Sequence, residues 1–253
     1  MLPAEPMEQH LSRLRRAIAQ TSEPLVDEAH SLALGVPEID AALGGGLACA
    51  ALHDLSATPV HLGAAAGFAL ALAALSPEKT KQTLWIATDF GMRETGALYR
   101  PGLDLIGLDT ARLLVARVAR PVDALFAMEE ALKCRALATV IAEINGDIDL
   151  TATRRLSLAA REGGALGVLL RHKPSDAPSA ARTRWEVAGA PSVSDELGGL
   201  GRTAFRLSLL RNRRGPCGNW TLTWDHHERV FSALSVGMAA APADGPDREA
   251  LSA

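Results

Sequence analysis

The sequence predicts an α/β protein: a mostly parallel sheet flanked by helices, with an N-terminal helix and a C-terminal β-hairpin. Three observations predict it. Continuously apolar runs such as TLWIAT (83–88), LATVIAEI (137–144) and ALGVLLR (165–171) alternate with segments of helix length. These runs lack the apolar/polar alternation of a half-solvated strand, so they suit a parallel sheet covered on both faces. Hydrophobic residues make up 48% of the chain and aromatics only 4%, so aliphatic and alanine contacts must fill the core. A chain of 253 residues has room for one or two domains at about 150 residues each.

The elements follow in order. Residues 7–20 place Met7, Leu11, Leu14 and Ile18 at helical spacing and leave Arg13, Arg15 and Arg16 outside. Such a helix needs a surface to dock on. TSEPLVDEAHS (21–31) reads as a linker. LGVPEIDAALGGGLA (34–48) is a short helix with Pro37 in its first turn, ending in three glycines. The strand CAALHDL (49–55), a loop and an apolar helix reaching Leu75 come next. TLWIAT is a strand, residues 89–111 are a looping stretch, and RLLVARV (112–118) is a strand. Pro121 opens a helix over 121–134, with Val122, Leu125, Phe126, Glu129 and Leu132 at three- and four-residue steps. Between the strands 137–144 and 165–171 lies a helix over 149–164, with Asp149 or Thr151 as its cap and Gly163 as its stop. Residues 172–201 are loop-rich with a strand around RTRWEV. FRLSLLRNRRGPCGNWTLTWD (205–225) is an antiparallel hairpin at the sheet's edge. The expected organisation is therefore an N-terminal helix and linker (1–33), an α/β domain with hairpin (34–235) and a disordered tail (236–253) that is small, polar and Pro/Gly-containing.

Net charge is −3, a balance that neither demands nor excludes nucleic acid, because local patches decide that. Cys49, Cys134 and Cys217 are distant from one another and form no C-x-x-C pair, which suits a reduced, cytoplasmic protein. The charged N-terminus lacks the apolar run of a signal peptide, and no stretch reaches the roughly 18 apolar residues of a membrane span. No cofactor or metal site emerges. His226 and His227 are adjacent, so in a strand they would point to opposite faces and could not share an ion; a turn fits them better.

The run LGVPEIDAALGGGLA, followed by a strand, a loop and a long apolar helix, resembles the RecA family, where a similar segment leads into the phosphate-loop strand. TLWIAT, ALYRPGLDLIGLDTARLLVARV, DALFAMEEALKC, DLTATRRLSLAAREGG, TRW and LLRNRRGPCGNWTLTWD narrow the resemblance to the ImuA family, RecA-like accessory proteins of bacterial damage-induced mutagenesis. It spans about residues 34–231; LYRPGLDLIGLD and LLRNRRG are its most specific pieces. The resemblance implies a RecA-like fold and a non-catalytic adaptor in SOS-induced error-prone translesion synthesis. Such an adaptor would join an ImuB-type inactive Y-family polymerase homologue and, through it, an error-prone C-family polymerase. Contact with RecA and self-association through the N-terminal helix are further implications.

A working phosphate loop needs G-x-x-x-x-G-K-[ST]: glycines that let backbone N–H groups turn inward, a lysine for the terminal phosphates and a hydroxyl for magnesium. Here the loop is SATPVHLGAAAGFA, and Gly63 and Gly67 are followed by Ala64 and Phe68. Losing lysine, hydroxyl and loop geometry together costs several kcal/mol, since charge-assisted hydrogen bonds are worth about 1.5–3 kcal/mol each. Glu143 and Asp89, at the carboxyl ends of strands, stand near where a RecA-like ATPase keeps its carboxylates. Without phosphate ligands, capping or ion pairing suits them better than catalysis.

Two basic stretches remain as candidate DNA or partner contacts. The first is Arg171 and Lys173, then Arg182 and Arg184 with Trp185; cations and a stacking ring suit single-stranded DNA, and the plain alternative is a solvated loop with a core tryptophan. The second is Arg206, Arg211, Arg213 and Arg214 on the hairpin. Strict alternation would put Arg206 and Ser208 on one face and Arg211 on the other. Rival functions are a DNA-dependent ATPase with a degenerate phosphate loop and a SulA-like cell-division inhibitor.

Overall fold

A computed structural model describes residues 31–192 and 201–234. The helix expected over 7–20 and the tail expected from 236 lie outside the described residues. The described strands are β1 Ser31–Leu32, β2 Leu47–Ala48, β3 Ala51–Ser56, β4 Gln82–Thr88, β5 Leu113–Val118, β6 Leu137–Ile144, β7 Leu166–Arg171, β8 Thr183–Gly189, β9 Thr203–Asn212, β10 Gly218–Asp225 and β11 Val230–Ala233. The helices are α1 Pro37–Leu43, α2 Leu62–Leu75, α3 Asp89–Thr95, α4 Arg100–Ile106, α5 Pro121–Lys133 and α6 Leu150–Gly163.

Nine strands form one sheet in the order β11-β10-β9-β8-β3-β7-β6-β4-β5. From β5 to β8 every pairing is parallel; from β8 to β11 every pairing is antiparallel. This is the predicted α/β class, a mostly parallel sheet carrying an antiparallel hairpin at one edge. One face packs on α2 through Phe68, Leu72, Leu55, Val168, Trp185 and Leu207. The other packs on α5 and α6 through Met128, Leu132, Leu156, Leu52, Val140 and Leu169.

α2 is apolar all round because the sheet covers one side and α4 and neighbouring segments cover others. α6 is capped by Asp149, whose carboxylate accepts from Ala152 N at 2.7 Å, and it stops at left-handed Gly164. Before β3, the Asp40 carboxylate accepts from Leu34 N and Gly35 N, folding the glycine segment back so that β1 pairs with β2. Gly46 is required there: at φ +126° a Cβ would lie 2.5 Å from Leu32 O.

Several expectations need correction. The stretch 89–111 is not a loop: it holds α3, capped by Thr88 Oγ1 accepting from Gly91 N, and α4, which ends at left-handed Gly107. Short helices of seven residues carry too little periodicity to be read against a glycine-rich background. On α5 the buried residues are Ala124, Met128 and Leu132, while Val122 and Phe126 are 57% and 62% exposed. Counting three- and four-residue steps found a stripe, but two of its five residues face solvent. The strand expected around RTRWEV is present as β8, which starts at Thr183 and lies inside the sheet. A further strand, β11, extends the hairpin and places Phe231 4.6 Å from the Trp224 ring.

Candidate functional site

Helix-covered sheets of this topology bind ligands outside the carboxyl ends of the strands. Here those ends carry Ser56, Thr88, Glu143 and Arg171. Ser56 leads through Ala57 and Thr58 into a single 3₁₀ turn, Pro59–His61, and then α2. No residue between Ser56 and Gly67 has positive φ, so the amides do not alternate into the concave nest that holds phosphate. The turn exposes Val60 at 86%, and Gly67 packs against the Phe205 ring instead of facing a ligand. The hydroxyl of Ser56 donates to Trp185 O at 3.1 Å. The lysine of a phosphate loop has no counterpart between Ser56 and Gly67.

The carboxylates nearby are also engaged. Glu143, buried at the end of β6, lies 2.8 Å from His172 Nε2 and accepts from Thr95 Oγ1 at 3.1 Å. It therefore ties β6 to the segment after β7 and to α3. Asp89 accepts from Arg117 Nη2 at 2.8 Å at the surface. Glu143 is thus a buried bonding partner and Asp89 a surface one.

Deeper in the sheet, Asp54 on β3 is 1% exposed and accepts from Arg171 Nε at 2.7 Å. Its second oxygen has no hydrogen bond, with Arg184 Nε 3.9 Å away. On the opposite face of β3, His53 bonds Thr183 Oγ1 at 2.7 Å and Ala48 O at 2.9 Å. Burial lowers its pKa to about 4, aided by the Arg182 charge and opposed by the Ala48 bond. The ring is thus neutral at pH 7. Its Nε2–H donates to Ala48 O, so Nδ1 accepts from the Thr183 hydroxyl, which itself accepts from Trp185 Nε1 at 2.8 Å.

The structure divides the arginines and aromatics singled out by sequence. Arg171 is buried on Asp54. Trp185 is 1% exposed and sits in the core. Arg184 donates to Ser175 O and Ala177 O, spending its fork on the crossover segment. Arg182 donates its backbone N–H to Leu52 O at the start of β8. Lys173 is exposed, 3.4 Å from Asp147. The first stretch therefore forms no continuous loop surface.

The second stretch does come together, with a change of face. Trp185 pairs with Leu209 but Arg184 pairs with Arg211, so Leu210 is an extra residue, a β-bulge. The bulge turns Arg211 to the face of Arg206 and Ser208, contrary to strict alternation. Arg211 and Arg213 both donate to Ser179 O, at 2.9 and 3.5 Å. Burial lowers the Arg213 pKa, helped by the neighbouring charges of Arg211 and Arg154. Arg154, on α6, is a member that sequence reading missed: it lies 57 residues earlier than Arg211, and no local pattern links them. Arg214 is exposed in the turn, its N–H donating to Asn212 Oδ1.

The fold and this site define a RecA-like α/β scaffold whose phosphate-loop position holds a 3₁₀ turn, Pro59–His61, with no lysine. No protein-family model matches the chain. The chain is 34% identical over 208 residues to Protein ImuA of Caulobacter vibrioides (strain NA1000 / CB15N), covering 76% of this chain and 82% of that protein. The same values hold for Protein ImuA of Caulobacter vibrioides (strain ATCC 19089 / CIP 103742 / CB 15). This chain belongs to the ImuA family. Among the described residues, no helix is long and apolar enough to cross a membrane.

Proposed function

We propose that this chain is a non-catalytic adaptor in bacterial SOS-induced error-prone translesion DNA synthesis. It links an ImuB-type inactive Y-family polymerase homologue and, through it, an error-prone C-family polymerase. Membership of the ImuA family supports the pathway. The observation that carries the non-catalytic part is the turn Pro59–His61, which has neither lysine nor inward-turning amides where phosphate would sit.

An adaptor needs surface in place of a pocket chemistry, and one apolar surface supports the reading. A groove of about 580 Å³ between α5 and α6 is lined by Val122, Phe126, Ile148 and Leu156 among others. Glu129, Asp147 and Asp149 edge it. Exposed aromatic and aliphatic side chains in a concavity, rimmed by charge, are what a protein interface core uses. Contact with RecA and self-association through residues 7–20 belong to the same reading.

The test is co-purification of the full chain with an ImuB-type protein of the same organism, in wild type and as Val122→Asp/Phe126→Asp. The expected result is a stable complex that the double substitution abolishes while the melting temperature holds. Failure of the wild-type chain to bind would overturn the adaptor role. Calorimetry with magnesium and ATP is expected to show no heat of binding at micromolar to millimolar nucleotide; micromolar affinity would revive an ATPase.

A further inference from the structure

The strands β8 to β11 have one face on α2 and one face that no described helix covers. On the open face the pairings align Ala188 with Arg206 and Thr221, and Glu186 with Ser208 and Asn219. Arg206 and Asn219 are exposed; Ser208, Thr221 and Thr223 are half-buried. The bulge at Leu210 brings Arg211 onto this face. Beside it Arg213 and, from α6, Arg154 complete a cluster whose charges repel one another. No carboxylate among the described residues lies within ion-pair distance of Arg154, Arg206, Arg211 or Arg213, although Glu186 shares the sheet face.

We infer that this face binds the phosphate backbone of nucleic acid through Arg154, Arg206, Arg211 and Arg213. Three arguments favour a polyphosphate over a protein partner. Among the described residues, β8 to β11 carry no exposed aromatic ring, and their exposed large aliphatics are Leu210 at the bulge and Val230 at the far edge, fewer anchors than interface cores are built on. Nucleic-acid interfaces are more polar and more positive than protein interfaces, and hydroxyl and amide groups between arginines are the usual donors to phosphate oxygens. Arg211 spends one N–H on Ser179 O and keeps others of its five for a ligand. From Arg206 to Arg211 the strand spans roughly 15 Å at about 3.3 Å per residue, long enough to follow more than one phosphate of a nucleic-acid backbone. With no exposed ring among the described residues of the face, base stacking contributes nothing there, so binding is independent of sequence and steeply salt-dependent.

This inference rests on reading Arg206, Arg211 and Arg213 as contacts, but not on the adaptor role, and the purified full chain alone tests it. Fluorescence anisotropy with labelled 40-mer oligo(dT) over a salt series is expected to show binding at low salt that weakens linearly on a log–log plot. Arg154→Glu/Arg206→Glu is expected to weaken binding at least tenfold and to flatten the salt slope by about 2. Arg154→Gln/Arg206→Gln repeats the measurement without introducing carboxylates and is expected to flatten the slope likewise. Arg100→Glu on α4, with the same change of sign at a distant exposed site, is expected to leave both unchanged. The inference is overturned if wild type does not bind at low salt, if both double variants bind as wild type does, if Arg100→Glu weakens binding equally, or if polyglutamate of matching charge competes as well as the oligonucleotide.

Discussion

Arg211 stands directly opposite Arg184 across β8 and β9, and both guanidinium groups hold the same crossover segment. Arg184 donates to the carbonyls of Ser175 and Ala177, Arg211 to that of Ser179. Alternate carbonyls of one otherwise irregular strand are thus fastened to the sheet. The segment from His172 to Arg182 lacks secondary structure of its own, so these bonds satisfy backbone acceptors that would otherwise lose water without compensation.

Arg184→Ala should therefore loosen the crossover more than it disturbs the sheet. The expected cost is about 2–4 kcal/mol, from two hydrogen bonds to a charged donor. Hydrogen exchange should accelerate over 175–182 and stay slow in β6 and β7. Equal acceleration everywhere would mean that the arginine supports the fold globally instead.

Asp54 and Arg171 should show the asymmetry of a buried ion pair. Asp54→Ala leaves a buried guanidinium unpaired and should cost about 3–5 kcal/mol, whereas Asp54→Leu/Arg171→Leu should recover most of that loss. Denaturant unfolding of the single and double variants measures both.

Stability should fall with acid in a defined window. The folded pKa of His53 is about 4 against 6.5 for the free side chain, so the unfolded chain takes up the proton first. The stabilising contribution is complete above about pH 6.5 and is lost as pH falls toward 4. At about 1.36 kcal/mol per unit it amounts to about 3 kcal/mol. His53→Asn should remove this part of the pH dependence of unfolding; an unchanged profile would place the titrating group elsewhere.

Glu143→Gln should lower stability by about 1–3 kcal/mol by weakening the bond to His172, and Asp89→Ala should cost under about 1 kcal/mol, as exposed ion pairs do. Neither should alter nucleotide turnover, measured by phosphate release. ATP hydrolysis abolished by either change would restore a catalytic role.

Much of this architecture was legible in the residues. The strands 83–88, 137–144 and 165–171 are continuous apolar runs because helices cover both their faces, and that makes them unmistakable. Asp149 caps α6 as expected, while the helix runs one residue past the expected stop and ends at left-handed Gly164. The missing lysine at the phosphate-loop position is a matter of residue type, readable directly. Other features depend on tertiary partners. For Trp185 the choice between base stacking and the core is settled only when β8 is seen to pair with β3, more than a hundred residues away. Arg211 changes face because of one inserted residue, which alternation cannot anticipate. Arg154 joins the hairpin arginines only through the packing of α6.

The ring of Phe68 on α2 lies 5.8 Å from Phe205 on β9 and 5.5 Å from Phe231 on β11. The parallel and antiparallel halves thus share one keel. The hairpin is no detachable appendage: a chain cut before Thr203 would strip α2 of its aromatic bed and expose the apolar side of β8. A chimaera exchanging β9–β11 with a relative must carry residues 62–75 along with them, because helix and hairpin are a single inherited unit.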